Sequence, residues 1–204
     1  MQTKSITWFV LAALLFCPPA AYAEDLYLAL HTSGEGQYLV EGRFWTPADA
    51  PTVWSTLSDY DHLPSFVLSL KTSKVQERSS DSLLIDQVAD GRALLFFHRR
   101  IHVRLQVHEH PFDEIVFEDI SHRDFVSYSG SWHILAAAGG GSWVDYRLQA
   151  KPNFFAPGPI ARQSFQKMAK ELLMSVESEI VRRGHLDSTF LCCSQHSEKN
   201  SRVH

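Results

Sequence analysis

Between residues 93 and 108 apolar and polar side chains alternate with a period of two. Ala93, Leu95, Phe97, Ile101, Val103, Leu105 and Val107 share one side, which Arg99 alone interrupts. His98, Arg100, His102, Arg104, Gln106 and His108 share the other with Leu94 and Phe96. This predicts a long strand with one buried and one wet face, as in an antiparallel sheet covered on one side. Residues 114–119, 125–135 and 142–150 repeat the pattern. In the second of these, Val126, Tyr128, Gly130, Trp132 and Ile134 oppose Ser127, Ser129, Ser131 and His133; in the third, Val144, Tyr146 and Leu148 oppose Asp145, Arg147 and Gln149. Upstream, residues 26–31 and 38–44 flank Ser33-Gly34-Glu35-Gly36 and read as a hairpin. Asp90-Gly91 reads as a hairpin turn ahead of the long strand. Gly139-Gly140-Gly141 joins two strands instead of opening a helix, so it is a hairpin loop and not a phosphate cradle.

Elsewhere the period is helical. Thr46-Pro47-Ala48-Asp49 supplies an N-cap, a proline and an acidic residue for a helix that carries Val53, Trp54 and Leu57 and stops near Ser58-Asp59-Tyr60. A short turn over 61–66 follows, interrupted by Pro64. After Pro157-Gly158-Pro159 an apolar stripe of Ala161, Phe165, Met168, Leu172, Val176 and Ile180 recurs at three and four, while Arg162, Lys167, Lys170, Glu171, Glu177 and Glu179 occupy the other face. The long helix therefore needs a partner surface, and the apolar side of the sheet is the one of matching length. Gly184 reads as its C-cap, with a polar, disordered tail over 185–204.

Residues 1–23 have the pattern of a secretory signal: Lys4, an apolar run over 6–17, and Ala21-Tyr22-Ala23 as the cleavage site. An apolar helix of that length spans about 18 Å against a bilayer core of about 30 Å, too short for an anchor. Cleavage after Ala23 is expected to leave a mature chain beginning at Glu24, exported to the periplasm, with one domain over 24–184. The composition, 45% hydrophobic and 21% charged, is that of an ordinary globular protein and excludes disorder, collagen and disulfide-dense scaffolds. With 19 Lys and Arg against 23 Asp and Glu there is no basic surface for nucleic acid. Cleavage leaves Cys192 and Cys193, neighbours on the tail, so burial and not a disulfide framework must hold the fold.

The order of these elements resembles the START-like (SRPBCC) superfamily. Val53-Trp54-x-x-Leu57-x-Asp59-Tyr60-x-x-Leu63-Pro64-x-Phe66 is similar to the helix-turn signature of its polyketide cyclase and coenzyme Q-binding branch, and Gly130-Ser131-Trp132 and the terminal helix fall where that branch has equivalents. The likeness covers about residues 36–183. It implies an α+β helix-grip fold: a curved antiparallel sheet of about seven strands wrapped on a long C-terminal helix, with two short helices after the first strand. It also implies a cavity for a lipid, isoprenoid quinone or polyketide-like ligand, lined by Tyr60, Phe66, Phe97, Arg99, Ile101, Phe117, Tyr128, Trp132, Tyr146, Phe165 and Met168. Binding, transport or chaperoning of an apolar molecule is the leading expectation. The alternative is a cyclase or dehydratase in which Tyr128, Tyr146 and Arg99 polarise a carbonyl.

Two further groups invite chemistry. His98, His102 and His108, with His108-Glu109-His110, have ligand-like spacing, but they lie on the wet face among Arg100 and Arg104, whose charge repels a cation. They read as surface histidines. Arg99 breaks the apolar face, and either a bulge or ion pair accommodates it or it holds an anionic head group in the cavity. Asp59 reads as a helix-end residue. No G-x-S-x-G, H-E-x-x-H or C-x-x-C occurs. The expected partner is a hydrophobic small molecule, with transient membrane contact, no cofactor and a monomeric chain.

Overall fold

The structure, a computed structural model, describes residues 26–34, 36–93, 97–155 and 157–200, without the side chains of 91–99 and 186–200. The expected signal at 1–23 and the side chains of Cys192 and Cys193 lie outside the described residues. The elements are β1 (Tyr27–Ser33), β2 (Gln37–Thr46), α1 (Ala50–Leu57), a 3-10 turn (Tyr60–Ser65), β3 (Leu70–Arg78), β4 (Leu83–Ala93), β5 (Phe97–His110), β6 (Glu114–Asp119), β7 (Phe125–Ala136), β8 (Ser142–Pro152) and α2 (Gly158–Asn200). The eight strands form one antiparallel sheet in the order β1-β2-β8-β7-β6-β5-β4-β3. The count exceeds the expected seven because β1 adds an edge strand ahead of the one that leads into α1.

Alternation decides which face is covered. On β2, Tyr38, Val40, Phe44 and Thr46 are buried, and on β8 so are Val144, Tyr146, Leu148 and Ala150. The opposite face carries cross-strand ion pairs, Arg43 with Asp145, Arg147 with Glu41 and Arg104 with Asp86. Such exposed pairs contribute little to stability. Two of the histidines are held there as well, His133 by Glu114 at 2.8 Å and His108 by the Asp81 carbonyl at 2.8 Å.

Four local expectations are corrected. The N-cap of α1 is Asp49, whose carboxylate accepts the Thr52 N–H at 3.0 Å, and not Thr46, which is buried at the end of β2. Pro51 suits the first turn of a helix starting at Ala50, so the start lies beyond Thr46-Pro47. Asp90-Gly91 lies inside β4, opposite Arg100 and Arg99; the ladder carries the strand past the dipeptide to Ala93, opposite Phe97. Val126 is 51% exposed because the β7–β8 register shifts between Phe125 and Ser127, a bulge that turns Phe125 inward in its place. Gly184 does not end α2, which continues helically to Asn200 where a disordered tail was expected. An isolated glycine costs a helix only about 1 kcal/mol, and this one packs against the start of α1, where a Cβ would lie 3.5 Å from that of Ala48, just ahead of the helix, and 4.0 Å from Thr52 Cγ2.

The C-terminal half of the described part of α2 is fastened to α1 by charge. Arg183 donates to Asp59 at 2.9 Å, to Glu179 at 2.8 Å and to the Ser55 carbonyl at 3.2 Å, with its guanidinium 5.8 Å from the Phe66 ring centre. Arg182 adds a second donor pair to Glu179, and His62 lies 2.6 Å from Asp59. Hydrogen bonds from Arg182 and then Arg183 outweigh burial and hold the Glu179 carboxyl at about 2. Burial works to raise the Asp59 carboxyl, but hydrogen bonds from His62 and Arg183 win and keep it below its ordinary value.

Close approach also explains two glycines. A Cβ on Gly42 would lie 2.4 Å from Leu173 Cδ1, so its absence seats α2 on β2. A Cβ on Gly130 would lie 2.2 Å from the Arg147 carbonyl oxygen and 2.6 Å from Phe117 Cζ. Gly130→Ala is therefore expected to destabilise the protein by about 2 kcal/mol in urea titration, as overpacking against backbone does. Gly139→Ala, with open space around it, should change stability by less than about 0.5 kcal/mol. The carboxyls of Glu179 and Asp59 are depressed in the fold, so their contribution is complete above the unfolded value near 4.5 and is lost as pH falls toward about 2. Urea midpoints should drop through that window, and Glu179→Gln should flatten part of the slope.

Candidate ligand-binding cavity

α2 approaches the sheet at its flanks, β1 and β2 on one side and β4 on the other. Tyr38 stacks on Phe165 with ring centres 4.6 Å apart, and Leu173 sits over Gly42, fixing the first flank. Between the flanks the sheet curves away and leaves a cavity of about 520 Å³, within the range of roughly 300–1,000 Å³ typical of small-molecule sites. Ile101, Val103, Leu105 and Val107 of β5 form one wall, Phe165, Met168, Leu172 and Val176 of α2 the facing one. The alternation of β5 and the stripe of α2 thus converge on one empty volume. Phe155 lines the cavity and is 93% exposed, which marks the mouth at the β8–α2 loop. Val67, Ser69 and Leu70 also line the cavity, and Leu68 among them turns out to solvent, 80% exposed.

The β7 and β8 part of the lining is aromatic. Trp132 packs on Tyr146 with ring centres 4.4 Å apart, and Tyr128 packs against Phe125 at 4.8 Å and Phe117 at 6.0 Å. Three tyrosines reach the lining, with different partners. The Tyr60 hydroxyl donates to Glu109 at 2.8 Å, and Glu109 pairs in turn with Arg78 at 3.7 Å. Tyr128 and Tyr146 make no hydrogen bond through their hydroxyls among the described residues. Burial, then the charge of Asp119, pushes the Tyr128 phenol up to about 12. Burial, then Tyr128, pushes Tyr146 well above its ordinary value. Both phenols therefore keep their protons across the physiological range and act as donors. No charged side chain lines the cavity among the described residues.

Of the residues expected at the site, Tyr60, Ile101, Phe117, Tyr128, Trp132, Tyr146, Phe165 and Met168 line the cavity. Phe66 does not. It lies beyond the 3-10 turn under the Arg183 guanidinium, because that turn has neither strand nor helix period to direct it inward. The side chains of Phe97 and Arg99 lie outside the described residues; Arg99 is opposite Gly91 in an unbroken β4–β5 register, so no bulge occurs there between these strands. Asp59 belongs to the ion-pair network with Arg183.

Asp119 escaped the sequence reading. It is 1% exposed; its Oδ1 accepts the N–H groups of Arg104 and Ser121, both at 2.9 Å, while Oδ2 has no partner among the described residues. The signal was its parity: Ile115, Phe117 and Asp119 alternate with exposed or half-buried neighbours, which puts the carboxylate on the covered face. Asp124, also buried, accepts the His102 N–H at 2.8 Å through Oδ2. The two aspartates satisfy β5 N–H groups beyond the end of β6, where the strand ladder stops at Leu105 and Asp119.

The family model for polyketide cyclase / dehydrase and lipid transport matches residues 46–177. No curated protein matches the sequence. Among solved structures, a STAR-related lipid transfer protein from Xanthomonas axonopodis superposes with a TM-score of 0.59 at 15% identity, over 75% of this chain and 98% of that one. Human STARD10 gives a TM-score of 0.61 at 12% identity, over 80% and 77% of the two chains. The Zhui aromatase/cyclase of a Streptomyces species gives 0.60 at 11% identity, over 73% and 94%. The chain spans about half the length of the di-domain aromatase/cyclases BexL and StfQ, 51% and 53% of theirs. At these identities the likeness establishes the START fold, and the family match extends over more than half of the sequence. The chain belongs to the polyketide cyclase / dehydrase and lipid transport family.

Proposed function

We propose that this protein binds an apolar molecule between α2 and the sheet and carries it, without chemistry, in the periplasm of its host. The observation that supports this best is the cavity of about 520 Å³, apolar and uncharged along its described lining. A carrier needs shape and dryness more than reactive groups, and burying an apolar guest gains about 25 cal/mol for each Å² removed from water. The cyclase or dehydratase reading would require a group that exchanges a proton near neutral pH. Among the described lining residues the titratable groups are tyrosines, and burial holds Tyr60, Tyr128 and Tyr146 in the protonated form. The periplasmic address rests on the signal pattern at residues 1–23.

Phe155, on the lining and 93% exposed, and Leu68, 80% exposed next to the lining residues Val67 and Ser69, are apolar side chains in solvent, which suits transient contact with a membrane from which a guest is taken up. No described helix is long and apolar enough to cross one.

Native mass spectrometry of protein purified from its own host is expected to find a co-purified apolar molecule. Val103→Trp, which fills the cavity from the β5 wall, should lose it while melting within a few degrees of the parent. A protein that is empty and also ignores neutral fluorescent lipid probes would overturn the reading. With Phe155 and Leu68 both changed to Ser, uptake from vesicles should slow several-fold at unchanged affinity for a soluble probe; equal rates would remove the membrane step alone.

A further inference from the structure

The sheet has two edge strands, and they are built differently. β3 closes one edge with Lys71, Lys74, Glu77 and Arg78 along it and with two register shifts against β4, between Leu70 and Thr72 and between Val75 and Glu77. Charges and bulges of this kind keep an edge from taking up another strand. β1 closes the other edge. Its seven residues include no Lys, Arg, Asp, Glu, Pro or Gly, and its register with β2 is unbroken from Tyr27 opposite Arg43 to Ser33 opposite Gln37. No strand lies on its other side among the described residues. Leu28 and Leu30 pack against the core yet are only half-buried, and Tyr27 is 59% exposed. β1 lies ahead of residues 46–177, the segment that the family model matches, so the edge it forms is an addition to that segment.

The side chains of β1 define what completes it. A neighbouring strand has to set apolar residues beside Leu28 and Leu30 on the face that α2 contacts. A second β1 supplies them. Antiparallel registers that keep the covered faces together differ by steps of two residues, because a slip of one turns every side chain to the other face. With a twofold axis at Ala29, Leu28 lies beside Leu30 of the second copy and Leu30 beside its Leu28, while on the outer face Tyr27 and His31 meet across both halves of the pair. Charge separates the two edges again. β3 carries three cations and one anion, so two copies of it repel, whereas in β1 the one titratable group near neutrality, His31, has Glu41 of its own chain 3.9 Å away.

We propose that two copies of this chain pair antiparallel through β1 about a twofold axis at Ala29, so that their sheets run on as one. The monomer expected from the sequence is then the dissociated form of a weak dimer, since a single strand pair is a small interface. No residue of β1 is among the described residues that line the cavity, so the pairing stands or falls independently of the carrier function.

Sedimentation equilibrium of the purified protein, with any guest it carries left in place, is expected to show a weight-average mass that climbs toward twice the monomer value between about 1 and 200 μM, the range of a small interface. Ala29→Lys should hold the mass at the monomer value throughout. Ala29 is opposite Glu41 on β2, so the lysine finds a carboxylate within its own chain and the fold is kept, while two lysines meet at the axis. Circular dichroism melts verify that fold. Thr72→Lys, a lysine added to the β3 edge instead, should leave the dimer as it is. With Cys192 and Cys193 both changed to Ser, Ala29→Cys should be joined to its mate by a short bismaleimide, because directly opposite Cβ atoms lie about 5 Å apart. Ser33→Cys, about 27 Å from its mate over eight residue steps of roughly 3.4 Å, should not be joined. A monomer mass at every concentration would overturn the proposal. So would a dimer that Ala29→Lys leaves intact, or a crosslink that forms as readily at residue 33 as at residue 29.

Discussion

α2 is held against the sheet at its flanks and stands off the middle, and the site depends on that single constraint. Leu173 over Gly42 and Phe165 against Tyr38 fix the helix to β2, and the Arg183, Glu179 and Asp59 network fixes it to α1. Neither anchor reaches β5 to β8. There the inward side chains, Ile101 to Val107 on one strand and Tyr128, Trp132 and Tyr146 on two others, meet empty space. Pulling the helix into the middle of the sheet would require giving up an anchor, so the gap is a consequence of where the fasteners lie.

Those fasteners differ in kind. The aromatic stack and the glycine seat are apolar contacts, insensitive to salt and pH near neutrality. The Arg183 guanidinium is half-buried and bridges two carboxylates, Glu179 and Asp59, so it is less screened by solvent than the more exposed ion pairs on the outer face. The half of the helix that lines the cavity has only the apolar contacts, and the opposite half carries the charged ones. Any movement that admits a guest is therefore easier at the Phe155 end, where the mouth already lies.

Much of this was legible before any coordinates, for a physical reason. A period of two that persists along β5 can be satisfied only by a strand covered on one face, and the period of the α2 stripe demands a partner; together they determine the sheet, the helix and eight of the cavity residues. Features governed by one local event were not legible. Val126 turned outward because a bulge inserted one residue, Phe66, beyond the 3-10 turn, packs under Arg183 and not into the cavity, and Gly184 stayed helical where the start of α1 packs against it. The opposite case is Asp119. Its inward position followed from the parity of β6, but an acidic residue at a strand end reads as a turn residue until the β5 N–H groups it satisfies are seen.

A void of this size also constrains function through its energetics. At about 24 cal/mol per Å³ a dry cavity of some 520 Å³ would forfeit roughly 12 kcal/mol, comparable to the whole stability of a domain at about 5–15 kcal/mol. The cavity is therefore filled when the protein is at work, by water or by something else. Water needs two to four polar partners to be well held, and most of the described lining offers none. Water along the β5 and α2 walls is thus weakly bound and readily displaced by an apolar guest.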